Sequence, residues 1–150
     1  LPEETIRELD GVLPPWWSRG NPVDLVAGLR EGDMEQSIRV LLRCPVVDAV
    51  LLLGVRSGPS NQDGKQTSIL DVMTHIDGGF FDDLKQLMDE FGKPIIVASD
   101  ASFGEVDMAA ELGKVMGQRG LVCYSLPDHA AVVLSRLADY SQYLEKEGKI

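Results

Sequence analysis

At 150 residues, with 44% hydrophobic and 25% charged side chains, the chain has the size and composition of one ordinary globular domain, able to withdraw roughly two thirds of its unfolded surface from water. Its formal charge of −10, with 14 Lys and Arg scattered rather than clustered, argues against nucleic acid and against anionic membrane surfaces as partners. No basic-then-apolar leader opens the sequence and no apolar run approaches the ~20 residues that cross a bilayer, so the expectation is a cytoplasmic protein.

The chain starts at Leu1, inside a helical pattern, which suggests a processed chain or an excised fragment. Pro2, Glu3 and Glu4 suit the first turn of a short amphipathic helix carrying Ile6, Leu9 and Val12 or Leu13, and Pro14 and Pro15 stop it. Trp16 to Leu25 reads as a turn-rich connector that packs its tryptophans and aims Asp24 at a specific partner. Asp33 is placed to cap a helix with Met34, Ile38, Leu41 and Leu42 on one stripe, ended by Pro45.

Val46 to Val55 is almost wholly apolar and predicts a strand buried on both faces, hence a parallel sheet. Arg56 to Thr67 is a polar, Gly-rich loop, and Ser68 caps a helical region that runs to Phe91 with a break at Gly78 and Gly79 and a stop at Gly92. Lys93 to Ala98 is the second strand. Ser102 to Glu105 lead into a helix that reaches Arg119 and closes at Gly120, Leu121 to Leu126 forms the next strand, and Asp128 caps a last helix facing inward through Ala131, Leu134, Leu137 and Tyr140 or Ser141.

Strands alternating with helices at about thirty residues per unit predict right-handed βαβ crossovers and a flavodoxin-like α/β three-layer sandwich with a mostly parallel sheet. Ligands of such sheets bind beyond the carboxyl ends of the strands. Three segments qualify by position: Arg56 to Gln66, Ser99 to Gly104, and Leu126 to Asp128.

None of these segments holds a complete catalytic set. The Gly54 to Lys65 loop offers Arg56, Lys65 and backbone amides to a phosphate or carboxylate, yet lacks the P-loop pattern and reads more readily as a solvated loop. Ser99 to Gly104 offers helix-start amides opposed by Asp100 and Glu105, against simple capping by Ser102. His75 and His129 have no Ser or Cys nucleophile nearby in sequence and too few companions for a metal. Cys44 and Cys123 lack CxxC spacing and read as reduced thiols. Asp82, Asp83, Asp89 and Glu90 form the polar face of one helix rather than a hydrolase pair. Trp16 and Trp17 suit a core edge more than a ligand ring.

The run Leu13-Pro14-Pro15-Trp16, then Gly20-Asn21-Pro22-Val23-Asp24-Leu25, then Val47 to Leu53, resembles the ADP-forming acyl-CoA synthetases (acetate:CoA ligases) of the succinyl-CoA synthetase superfamily. Gly92 to Val97, Gly120 to Tyr124 and Pro127-Asp128-His129-Ala130 are similar in order and spacing to the second flavodoxin-like ligase domain of that family, over nearly the whole chain. The resemblance implies residues 1–150 as a single such domain without its first strand and Gly-rich helix start. It implies a role in converting a carboxylic acid, CoA and ATP to acyl-CoA, ADP and phosphate.

By that resemblance Arg56, Ser57, Gly58 and Pro59 occupy the loop that reaches the organic acid, although Ser60 to Thr67 lengthens it. Asn21 and Asp24 are motif residues that serve either that face or the connector itself. Neither histidine matches the family's phosphohistidine, so no residue is assigned as catalytic. The resemblance implies no cofactor within this domain, with CoA and ATP-Mg expected for the complete enzyme. Its implied partners are CoA-binding, phosphohistidine-carrying and ATP-grasp domains or subunits, with assembly of the chain with its own copies left open. Two further readings stand beside it: a non-catalytic docking or regulatory domain of a CoA-ligase-like protein, and a free flavodoxin-like binding protein.

Overall fold

The computed structural model describes residues 1–26, 30, 32–53, 79–98 and 113–149. Among them helix α1 spans Glu3–Asp10, α2 Asp33–Arg43, strand β1 Val50–Leu53, α3 Gly79–Phe91, β2 Ile95–Ala98, β3 Cys123–Tyr124 and α4 Pro127–Lys146. Residues 113–118 are also helical. The described residues gather into two units, one within Leu1–Val50 and Gln86–Pro94, the other within Leu51–Lys85 and Ile95–Ile150.

In the first unit, α1 follows its sequence signals: two acidic residues lie in its first turn and Leu9 and Leu13 are buried. These residues form a core with Trp17 and Val40, against which Ile6, Val23, Leu25 and Leu41 pack. The α2 stripe is wider than expected, with Ser37, Ile38, Val40 and Leu42 all buried. Ser37 tolerates burial because its hydroxyl donates back to the Asp33 carbonyl at 2.7 Å.

Asp33 does not cap α2. Gly32 holds the cap position at φ 85, a conformation open to glycine, and Asp33 is the first helical residue. Its carboxylate accepts the Arg30 amide at 2.7 Å instead.

At the other end of α2 the carbonyls that lack helical partners are met by Lys93. Its ammonium donates to the carbonyls of Leu42 and Cys44, both at 2.8 Å. Arg39 reaches both carboxylate oxygens of Glu90 at 2.8 Å and lies over the Phe91 ring.

In the second unit the three strands are parallel, in the order β1, β2, β3. Val97 stands opposite Cys123 and Ala98 opposite Tyr124. The expected α/β architecture is therefore present and is consistent with a flavodoxin-like fold. Every residue of the central strand β2 is buried. Ile96 and Ala98 meet Ala130 of α4, with Leu51, Tyr124, Val133 and Leu134 around them. Ile95 and Val97 point the other way and are equally buried, so β2 is covered on both faces.

Several strand and helix bounds contract. Val46 to Ala49 are not strand: the Val47 amide closes a turn onto the Cys44 carbonyl, and Val46 is 66% exposed. β1 alternates, with Val50 and Leu52 buried and Leu53 exposed, in place of an unbroken buried run. The third strand is two residues long. The 113–118 helix ends in a Schellman turn, with Gly120 at φ 72 and the Leu121 amide on the Met116 carbonyl. Ser68 to Gly78 and Ser99 to Leu112 lie outside the described residues.

Asp128 does not cap α4 either. Leu126 precedes the helix, Pro127 takes its first position, and no side-chain cap bond forms. The inward stripe is Ala130, Val133 and Leu134, whereas Ala131, Leu137, Tyr140 and Ser141 are exposed. The 20 residues of α4 amount to about 30 Å of helix, and the residues packed on the sheet all lie in its first eight positions.

Candidate functional site

Parallel strands put all their carboxyl ends on one edge, and in this chain that edge is formed by Leu53, Ala98 and Tyr124. Arg56, Ser57, Gly58 and Pro59 follow β1 in sequence and lie outside the described residues, as do Ser99 to Gly104. Of the three expected ligand segments, only Leu126 to Asp128 is described. There α4 begins, so amides of its first turn face that edge. Asp128 and His129 sit in that turn, both exposed. The aspartate places its own negative charge at the positive helix end, where it opposes a bound anion.

The connector that carries Asn21 and Asp24 is built around Asp10. One oxygen of that carboxylate accepts the Trp17 indole N–H at 2.8 Å and the Arg19 Nε at 2.9 Å. The Trp17 hydrogen bond, aided by Arg19, holds the Asp10 carboxyl below its ordinary range although partial desolvation works the other way. Trp17 is buried and Trp16, its neighbour, is 66% exposed, so the pair divides: one fills the core edge and the other faces water.

Asp24 Oδ1 accepts the Val26 amide at 3.0 Å, and Ser18 Oγ donates to the Pro22 carbonyl at 3.3 Å. The Asn21–Pro22 peptide is cis. Arg19 and Val26 both have positive φ, 49 and 44, which is costly for a β-branched valine and is supported here by the Asp24 bond and by packing of Val26 on the core. Asp24 is thus partnered within its own loop. Asn21 is exposed at the turn.

The other sequence candidates resolve in the same way. Asp82 pairs with Arg119 Nε at 2.7 Å, and Glu90 with Arg39, so these acids serve ion pairs on the polar side of α3. Both cysteines are free thiols, Cys44 buried and Cys123 half-buried. His75 lies outside the described residues. No group of three His, Cys, Asp or Glu side chains able to hold a metal occurs among the described residues. None of their helices is long and apolar enough to cross a membrane.

Two residues central to this geometry escape the sequence reading. Asp10 had a signal, since an acid closing a helix opposes the helix dipole and asks for a partner. Lys93 had none, because its acceptors are carbonyls 51 and 49 residues away.

No family model matches the chain, and no solved structure matches it. Over 55 residues, 37% of its length, it is 40% identical to the alpha subunit of the ADP-forming acetate–CoA ligase II of Pyrococcus furiosus. The match spans 12% of that relative's length. The chain is therefore similar, over somewhat more than a third of its residues, to a small part of an ADP-forming acetate–CoA ligase subunit.

Proposed function

We propose that this chain is a flavodoxin-like domain of an ADP-forming acyl-CoA synthetase, forming one wall of a composite site at which a carboxylic acid is converted to its CoA thioester. The observation that carries the reading is the 40% identity to the acetate–CoA ligase subunit, and the parallel α/β sheet supports it. The alternative of a docking domain without chemistry has no observation of its own.

Within this reading Arg56 pairs with the acid's carboxylate, with Ser57, Gly58 and Pro59 shaping the loop beyond β1. Asn21 and Asp24 serve the connector. The described part of the sheet edge does not fit CoA or a nucleotide, since Asp128 sits in the helix turn where a phosphate would need positive charge. CoA and ATP-Mg are accordingly assigned to companion CoA-binding, phosphohistidine-carrying and ATP-grasp domains or subunits.

The test is acid- and CoA-dependent release of ADP from ATP by the complete protein with its companions, compared with its Arg56→Ala variant. Losing one charge-assisted contact to the substrate should lower kcat/KM for the acid by roughly 10- to 100-fold. Unchanged kinetics across a panel of carboxylic acids would remove Arg56 from the site. Absence of CoA-dependent turnover with every acid would overturn the synthetase reading itself.

A further inference from the structure

The distal half of α4 presents an apolar surface that the other described residues leave exposed. Leu137, Tyr140 and Tyr143 are 49%, 58% and 50% exposed, while Ala130, Val133 and Leu134 of the same helix pack on the sheet. Large apolar side chains grouped on an exposed helix surface mark a contact with another molecule more often than single exposed ones do.

The occupant is read from the order of residues. Arg136, Tyr140, Tyr143 and Glu147 recur at intervals of four, three and four, which puts them on one helical face. Helical hydrogen bonding continues to the last of them, because the Glu147 amide donates to the Tyr143 carbonyl at 3.1 Å. The face is its own complement when reversed. A two-fold axis passing between Ser141 and Gln142 sets Arg136 opposite Glu147 of a second copy and Tyr140 opposite Tyr143, and both contacts occur twice, as an isologous interface requires.

Charge points the same way. The chain carries −10 overall, but residues 136–149 hold three cations (Arg136, Lys146, Lys149) and three anions (Asp139, Glu145, Glu147), so this segment does not repel itself. The rings are also held ready. Tyr140 and Tyr143 stack on each other with centroids 6.4 Å apart and 21° between their planes, and Lys149, turned back by a Schellman ending at Gly148, lies 5.5 Å from the Tyr143 ring.

We propose that α4 pairs antiparallel with α4 of a second copy of this chain, through Tyr140, Tyr143, Arg136 and Glu147. About three turns of helix, Arg136 to Glu147, against the same three turns bury less than the roughly 1,200 Å² of a standard specific interface, so the dimer is weak and concentration-dependent. The proposal does not rest on the CoA-ligase reading and stands or falls separately.

Sedimentation equilibrium of the intact chain, from low micromolar to high hundreds of micromolar, tests it. The expected result is a monomer–dimer equilibrium that Tyr140→Glu abolishes. Arg136→Glu and Glu147→Arg should each weaken the dimer roughly tenfold, because each change turns two attractive pairs into two like-charge pairs, and the double variant should restore it to within a few-fold. Far-UV circular dichroism checks that these exposed substitutions leave the fold intact. A chain that stays monomeric throughout, a dimer indifferent to Tyr140→Glu, or a double charge swap that does not rescue would each overturn the proposal.

Discussion

The connector around Trp17 and the last turns of α4 are both rich in aromatic and charged residues, and they use them in opposite ways. In the first, the Trp17 ring is buried against Leu9, Leu13 and Val40, and its indole N–H and the Arg19 guanidinium share one oxygen of Asp10. In the second, Tyr140 and Tyr143 stack in solvent, and Arg136 meets Asp139 at 3.6 Å with both side chains largely exposed. An amphipathic pattern is therefore not a core. A helix stripe becomes core only over the length of the layer that it meets, and beyond that length the same residue types remain available for contacts between molecules.

The sharpest way to break this comparison is to remove the two tryptophans in turn. Trp17→Ala should cost about 3–5 kcal/mol of stability in urea unfolding, whereas Trp16→Ala, which empties no core site, should fall within about 0.5 kcal/mol. Equal losses would mean that the burial contrast between these neighbours has no energetic counterpart. Next in size is Lys93→Met, which keeps the stem and removes both bonds to the end of α2. We expect a loss of about 1–3 kcal/mol by the same measurement, since two carbonyls lose a charged donor.

Acid provides a third test. The Asp10 carboxyl is depressed in the folded chain, so its contribution is present at neutral pH and is lost as the pH falls below about 4, through the folded-state value. Asp10→Asn should flatten that part of the pH–stability profile, and an unchanged profile would count against the Asp10 hub. The smallest effect is expected for Leu137→Ser in α4, within about 0.5 kcal/mol for the folding of the monomer, measured at concentrations too low for association. A loss well above 1 kcal/mol would show that the distal stripe is packed after all.

Much of the architecture was legible because it depends on local signals. Glycines 92 and 120 take up left-handed conformations where helices stop, and the strand expected over Lys93 to Ala98 is found at Ile95–Ala98, whereas α1 already ends at Asp10, with Gly11 as its cap, before Pro14 and Pro15. The misreadings share one cause, which is competition between local and distant demands. Val46 and Val47 have strand-like side chains, but the chain is turning there after Cys44. Asp33 and Asp128 are good cap residues that stand one and two positions past the caps, because Gly32 and Leu126-Pro127 already fix the helix entry. Leu137 continues the stripe of Leu134, but nothing in a sequence reports where the sheet ends. Of the expected site, Asp24 is found serving its own loop, and the contact between Lys93 and the end of α2 was invisible because no periodicity links residues fifty positions apart.

That contact has a consequence for how the chain tolerates change in length. Lys93 on Leu42 and Cys44, together with Arg39 on Glu90, closes loops with sequence separations of 49 to 51 residues. Closure entropy rises only with the logarithm of loop length, so doubling the intervening chain adds about 0.6 kcal/mol. Lengthening the sequence between Cys44 and Glu90 therefore costs these two closures little, provided that the insertion spares β1 and α3.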